Sequence, residues 1–161
     1  MIAIKLITFS ILLTSITALP TTDLESRIAH DGDWTCKNTA GDLQFTAAHI
    51  QATLKKAPIT PGSSGYPHKF NNGYDETSHA RIKGYTSIDF RAKPCNKAPT
   101  DKTYLMEFPI ESAGKFYDAG KKPKADPGPA RVIFHYPSKT LCGLVGHESG
   151  NTGPLNFCEA R

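Results

Sequence analysis

Two β-rich runs separated by a four-residue turn constrain this chain more than any other feature. Arg131 to Tyr136 and Leu141 to His147 flank the segment Pro137 to Thr140, which reads as a tight connection between antiparallel strands. A hairpin this apolar needs further cover. Tyr104 to Ile110 supplies a third strand: Tyr104, Met106, Phe108 and Ile110 share one face, and Leu105 and Glu107 the other. One helix is predicted after Thr46, an N-cap residue, with Ala47, Ile50 and Leu54 on a single face and Pro58 and Pro61 ending it. Trp34 to Phe45 reads as a short N-terminal hairpin turning at Thr39 to Asp42. Two stretches, Asn71 to Lys102 and Glu111 to Pro129, lack periodicity and are expected to be long loops. With 161 residues, 39% of them hydrophobic, and 12 Pro and 13 Gly against helical continuity, the chain holds one α+β domain. One helix packs on a central antiparallel sheet.

The chain starts with Lys5 and an apolar run from Leu6 to Leu13, followed by small residues near Ala18, the pattern of a secretory signal. Residues 1–18 are therefore read as signal peptide, 19–27 as a pro-segment ending at Arg27, and 28–161 as the working domain. Secretion permits disulfides. Cys36, Cys95, Cys142 and Cys158 allow three pairings, and spacing does not choose among them.

Five side chains carry the chemical expectation. Tyr66 and His68 share one side of an extended segment. Glu107 interrupts an apolar strand, and its carboxylate needs solvent or a polar cleft. Arg131 and His147 centre on Lys139, inside the turn, and are expected to face each other across the hairpin to within about one residue. Gly143 and Gly146 thin the strand beside His147, which suits the approach of a ligand. His135 is read as a surface residue. No metal-ligand spacing, phosphate-cradling glycine loop or nucleophile elbow occurs. Two imidazoles, a carboxylate and a guanidinium suit metal-free acid–base phosphoryl or acyl transfer, and the guanidinium favours a phosphate. Lys121, Lys122 and Lys124 lie a few residues before Arg131, and the net charge is +4. A nucleic acid is the natural polyanionic partner.

Several blocks resemble the fungal ribotoxins, a branch of the secreted guanyl-preferring ribonucleases. They are DWTC at Cys36, SSGYPHKFNNGYD from Ser63, YLMEFPI from Tyr104 and KKPKADPGPARVIFHYPSKTLCGLVGH from Lys121. The resemblance implies a microbial ribonuclease fold and no cofactor. It implies that Glu107 is general base and His147 general acid, with Tyr66, His68 and Arg131 on the phosphate. It places Leu155 beside the leaving group. It assigns Asn72, Lys121, Lys122 and Lys124 to recognition of the sarcin–ricin loop of ribosomal RNA. It pairs Cys36 with Cys158 and Cys95 with Cys142. It further implies a secreted monomer that meets acidic lipid membranes on entry and acts on ribosomes in the cytosol of target cells. A generic guanyl ribonuclease and a non-catalytic RNA-binding effector are the alternatives. The N-terminal hairpin is shorter than in the sarcin branch.

Overall fold

The computed structural model describes residues 32–112 and 114–161. The proposed signal peptide and pro-segment lie outside them. Among the described residues, two antiparallel sheets and one α-helix form the frame. A small sheet joins β1 (Trp34–Cys36), β2 (Leu43–Phe45) and β8 (Glu159–Ala160) in the order β2-β1-β8. The main sheet has the order β3-β4-β5-β6-β7, from β3 (His68–Lys69), β4 (Tyr104–Pro109), β5 (Ala130–Tyr136), β6 (Thr140–Ser149) and β7 (Thr152–Phe157). The α+β architecture expected from the sequence is the one observed.

The helix α1 (Ala47–Lys56) starts where the Thr46 hydroxyl accepts from the His49 backbone N–H at 3.2 Å. Its Ile50 and Leu54 enter the main core, together with His49 and Thr53. Its last carbonyls are met by the Lys139 ammonium, 2.7 Å from the Ala57 oxygen, reaching over from the β5–β6 turn. A cation there complements both the unpaired carbonyls and the helix dipole.

Alternation along the central strands sorts the apolar residues onto two faces. Met106, Phe108, Val132, Phe134 and Leu144 turn toward the helix and form the larger core with Trp34, Ile50 and Leu54. Leu105, Ile133 and Val145 turn the other way and form a second core with Phe90 and Cys95. That second face is not left to solvent. The stretch from Asn71 to Lys102 folds over part of it, holds a 3-10 turn at Lys93–Asn96, and is bonded to the sheet through Cys95–Cys142. Cys36–Cys158 ties the small sheet to the end of the chain.

The β5–β6 register differs from the expected one. Arg131 pairs with Val145, not His147. The hairpin turns nearer Pro137 and Ser138, and a bulge between Ile133 and Phe134 inserts Cys142 as an extra residue. The net displacement is two residues, which preserves side-chain parity. His147 therefore stays on Arg131's face, about 7 Å beyond its row by strand rise.

Gly143 and Gly146 also serve a purpose other than the expected one. A Cβ on Gly143 would lie 2.5 Å from the Phe157 ring, and one on Gly146 would lie 2.9 Å from the Cys36 Cβ. These glycines admit the β7 aromatic ring and the disulfide of the small sheet, not a ligand.

Candidate active site

Strand pairing brings the first members of the site together. His68 on β3 faces Glu107 on β4, which faces Ile133 on β5. Parity then places Glu107, Arg131, Val145 and His147 on the face opposite the helix. Tyr66 stacks on His68, ring centroids 4.5 Å apart, and its ring lies 5.4 Å from the Arg131 guanidinium carbon. Tyr117 closes the back of Tyr66 edge-on at 5.5 Å.

Glu107 is only 8% exposed. Its Oε1 is bonded to His68 Nε2, while Oε2 is buried and has no partner among the described residues. A buried carboxylate oxygen without a donor is costly, and the His68 bond to Oε1 offsets part of that cost. The hydrogen bond to Glu107 holds the His68 imidazole above its usual pKa against the opposing effect of burial, and the Gly65 carbonyl at 3.3 Å on Nδ1 adds to the rise. Burial pushes the Tyr66 phenol up, with the Arg131 charge partly countering it.

Arg131 is 5% exposed, yet its charge is well anchored. Nη1 donates to the carbonyls of Pro127 at 3.1 Å, Gly128 at 2.7 Å and Ala130 at 2.8 Å. The planar guanidinium, lying against the Tyr66 ring, is the fork that suits an anionic oxygen pair. His147 sits opposite Leu155 of β7, so this apolar side chain flanks it directly. The Gly153 carbonyl lies 2.9 Å from His147 Nδ1. With Nδ1–H donating there, Nε2 is the nitrogen free to exchange a proton.

One residue of the site escaped the sequence. Asn38, buried at the end of the N-terminal hairpin, donates from Nδ2 to the carbonyls of His147 at 2.8 Å and Gly150 at 2.9 Å. Its Oδ1 accepts from the backbone N–H groups of Gly150 and Ala40. This amide thus clamps the turn that follows His147. Nothing local to Lys37-Asn38-Thr39 signals it, because every partner except Ala40 is more than a hundred residues away.

The remaining expected positions are distributed around the rim. Lys121, Lys122 and Lys124 are exposed on a loop fastened on both sides of the cluster. On one side, Ser64 N–H bonds the Ala119 carbonyl at 2.9 Å and Ser63 Oγ the Gly120 carbonyl at 3.0 Å. On the other, Asn151 Nδ2 bonds both oxygens of Asp126 at 3.0 Å. Lys124 Nζ comes within 3.2 Å of the place a Cβ on Gly65 would take, beside the turn that carries His68. Asn72 is not free: its Oδ1 accepts from Ile88 N–H and its Nδ2 donates to the Ile88 carbonyl, both at 2.7 Å. His135 is half-buried, not superficial, and lines a cavity of about 400 Å3 with Phe70, Tyr74, Ile88 and Leu105. Burial holds its pKa below the usual imidazole value.

A helix packed on a five-stranded antiparallel sheet, with a carboxylate, a guanidinium and two imidazoles on the face away from it, is the arrangement of a microbial ribonuclease. The family model for ribonuclease matches residues 30–160, and the chain belongs to that family. Within it, the chain is similar to the ribonuclease mitogillin of Aspergillus restrictus and the ribonuclease alpha-sarcin of Aspergillus giganteus. Each is 37% identical, over 98% of this chain and 99% of the relative. It is also similar to the ribotoxin restrictocin solved with a 29-mer sarcin/ricin domain RNA analog. That match has a TM-score of 0.72 and 38% identity, and covers 79% of this chain and 99% of that one. The likeness to the ribotoxins thus runs through nearly the whole chain and through its fold.

Proposed function

We propose that this ribonuclease cleaves one phosphodiester bond after a guanosine in the sarcin–ricin loop of large-subunit ribosomal RNA, acting as a secreted toxin on ribosomes in the cytosol of target cells. The observation that carries the catalytic part is the His68–Glu107 pair, stacked against Tyr66 and beside the Arg131 guanidinium. A ribose 2′-OH placed against this pair donates its proton to the Glu107 carboxylate, and the 2′-oxygen attacks the adjacent phosphorus. His147, protonated at Nε2, gives its proton to the departing 5′-oxygen, leaving a 2′,3′-cyclic phosphate. In the second stage water takes the place of the leaving alcohol, His147 removes its proton, and Glu107 returns a proton to the 2′-oxygen. Arg131 and the protonated His68 face the phosphate and offset the charge that develops on its oxygens. Tyr66 holds both through its ring.

The ribosomal target rests on the likeness to restrictocin, the structure solved with a sarcin/ricin domain RNA analog, and on the lysine loop. The loop is attached at Ser63–Ser64 and Asn151, and its three exposed lysines would meet the flanking phosphates of a folded RNA. Two disulfides fit an oxidising compartment, consistent with secretion.

The direct test is Glu107→Gln assayed on intact ribosomes and on a GpA dinucleotide. Activity should fall by about a hundredfold or more on both, the usual worth of a general base. A single fragment from the 3′ end of the large rRNA should appear with the wild-type protein only. Wild-type-like cleavage by Glu107→Gln overturns the mechanism, and a smear of rRNA fragments from the wild type overturns the target.

A further inference from the structure

Backbone bonding between the β5 and β6 segments reaches as far as His147, whose N–H donates to the Pro129 carbonyl at 2.8 Å. Beyond that bond the two chains part. On one side, Pro127 and Gly128 turn their carbonyls onto Nη1 of Arg131, at 3.1 and 2.7 Å. On the other, β6 turns into β7 through Gly150 and Asn151. This second turn is irregular. The β6–β7 pairing shifts between His147 and Ser149, and the turn is flanked by Gly150 at φ +52° and Gly153 at φ +82°. Yet it orients the general acid, because the Gly153 carbonyl is what holds His147 Nδ1, at 2.9 Å.

One side-chain pair joins the parted segments. Asn151 Nδ2 lies 3.0 Å from both Oδ1 and Oδ2 of Asp126. Asp126 Oδ1 also accepts from Gly128 N–H at 2.9 Å, which stiffens the turn that holds Arg131. A continuous path therefore runs from the guanidinium through Gly128, Asp126 and Asn151 to the carbonyl that orients the imidazole. Asp126 and Asn151 are both exposed, so neither fills a core, and exposed bonds of this kind add little to folding stability. What they govern is where the β6–β7 turn stands relative to Arg131. Acid catalysis is sensitive to that placement, since the proton donor has to lie within hydrogen-bond reach of the leaving oxygen.

We propose that Asp126, through Asn151, is a positioning residue for the general acid. The pair sets the His147 imidazole at the reach from Arg131 at which one phosphate is held by the guanidinium while Nε2 protonates its 5′-oxygen. This rests on the ribonuclease reading above, and it assigns the carboxylate of the lysine loop to the acid step, apart from ribosome recognition.

The test uses the full chain and its Asp126→Ala, Asn151→Ala and Asp126→Asn variants on two substrates. GpA releases a 5′-oxygen that needs a proton. Guanosine 3′-(4-nitrophenyl phosphate) releases a phenolate that departs without one. Both Ala variants should lose about fivefold or more in kcat on GpA with KM unchanged, and should cleave the nitrophenyl ester at the wild-type rate. Asp126→Asn should stay within about twofold of the wild type on both substrates. Its amide oxygen still accepts from Gly128, and its nitrogen can donate to the Asn151 side-chain oxygen. Equal losses on the two esters would make the pair a general support of the phosphate site and overturn the proposal. An unchanged kcat on GpA together with a loss on ribosomes would leave the pair a fastening of the lysine loop, and overturns it too. A loss in Asp126→Asn as large as in Asp126→Ala would show that the charge acts and not the bond, and sinks the positioning role. A wild-type protein that cleaves neither ester overturns the reading of an active ribonuclease, and this inference with it.

Discussion

Glu107 and His68 show how a site residue is set by its neighbours. The carboxylate lies in a strand whose other members are nearly all buried, and the bond from Oε1 to His68 is what offsets its burial. The bond raises the His68 pKa, so the imidazolium of the folded state is stabilised relative to the unfolded chain. That contribution to stability is fully present below the unfolded value near 6.5 and is lost as pH rises through the elevated folded value. In an NMR titration His68 should therefore deprotonate above 6.5, and in Glu107→Gln its midpoint should drop, because the largest cause of the rise has been removed. An unchanged midpoint would mean that the His68–Glu107 contact does not persist in solution. Asn38 acts one step further back. Asn38→Ala leaves the carbonyls of His147 and Gly150 without their donor and loosens the turn behind the general acid. We expect kcat on GpA to fall about tenfold with KM unchanged, the mark of a misplaced acid and not of lost binding. A matching rise in KM would assign Asn38 to general packing instead.

At the scale of elements, the helix and the β5–β6 hairpin are linked through a single side chain. Lys139 occupies the tight turn at φ +56° and sends its ammonium to the carbonyls of Ala57 and Lys55. The end of α1 is thus capped by a residue more than eighty positions away. Lys139→Ala should cost about 1 kcal/mol, the net worth of such a bond. Thr46→Ala at the other end should cost about the same. Because the two caps are far apart, the double variant should be additive in urea denaturation. A clear departure from additivity would mean that the helix frays as one unit. The hairpin register carries a related lesson. The bulge at Cys142 lets Ile133 face Gly143 while Phe134 faces Leu141, and it leaves Arg131 and His147 on one face although they are not paired.

At the scale of the whole molecule, two disulfides and two loops turn a sheet into a cleft. Cys36–Cys158 closes a chain segment of 122 positions, worth about 5 kcal/mol in the unfolded-chain entropy model. It also holds the N-terminal hairpin where Asn38 reaches His147. The segment that carries the lysines is fastened at Ala119, Gly120, Asp126 and Pro127, to Ser63–Ser64, Asn151 and Arg131. Replacing Lys121, Lys122 and Lys124 together with Ala should impair cleavage of ribosomes far more than cleavage of GpA. The dinucleotide has no distant phosphates for these charges to meet. Cleavage of ribosomes by the wild type should weaken steeply with added salt, and the triple variant should show a shallower slope, since exposed charges are screened beyond about 8–10 Å. Equal losses on both substrates would withdraw the claim of ribosome recognition and make the loop a support of the catalytic residues.

Much of this architecture was legible in the order of residues alone, wherever the governing interaction is local. The Thr46 cap and the apolar face of α1 depend on neighbours three to eight positions apart. The strands at Tyr104 and Arg131 follow from alternation, and the turn at Pro137 to Thr140 from its length. Parity alone was enough to put Arg131 and His147 on one face, because a two-residue error in register leaves it intact. The assignment of roles came from resemblance, since composition and spacing do not distinguish a general base from an exposed glutamate. Only the tertiary structure revealed that Oε2 of Glu107 is buried and unpartnered, that Gly143 and Gly146 make room for Phe157 and a disulfide, and that His135 is half-buried. The same holds for Asn38, which grips the turn behind His147. The physical reason is common to all four. Burial and hydrogen-bond satisfaction are properties of the space around an atom, and that space is filled by residues tens to more than a hundred positions away, whose arrival no local pattern records.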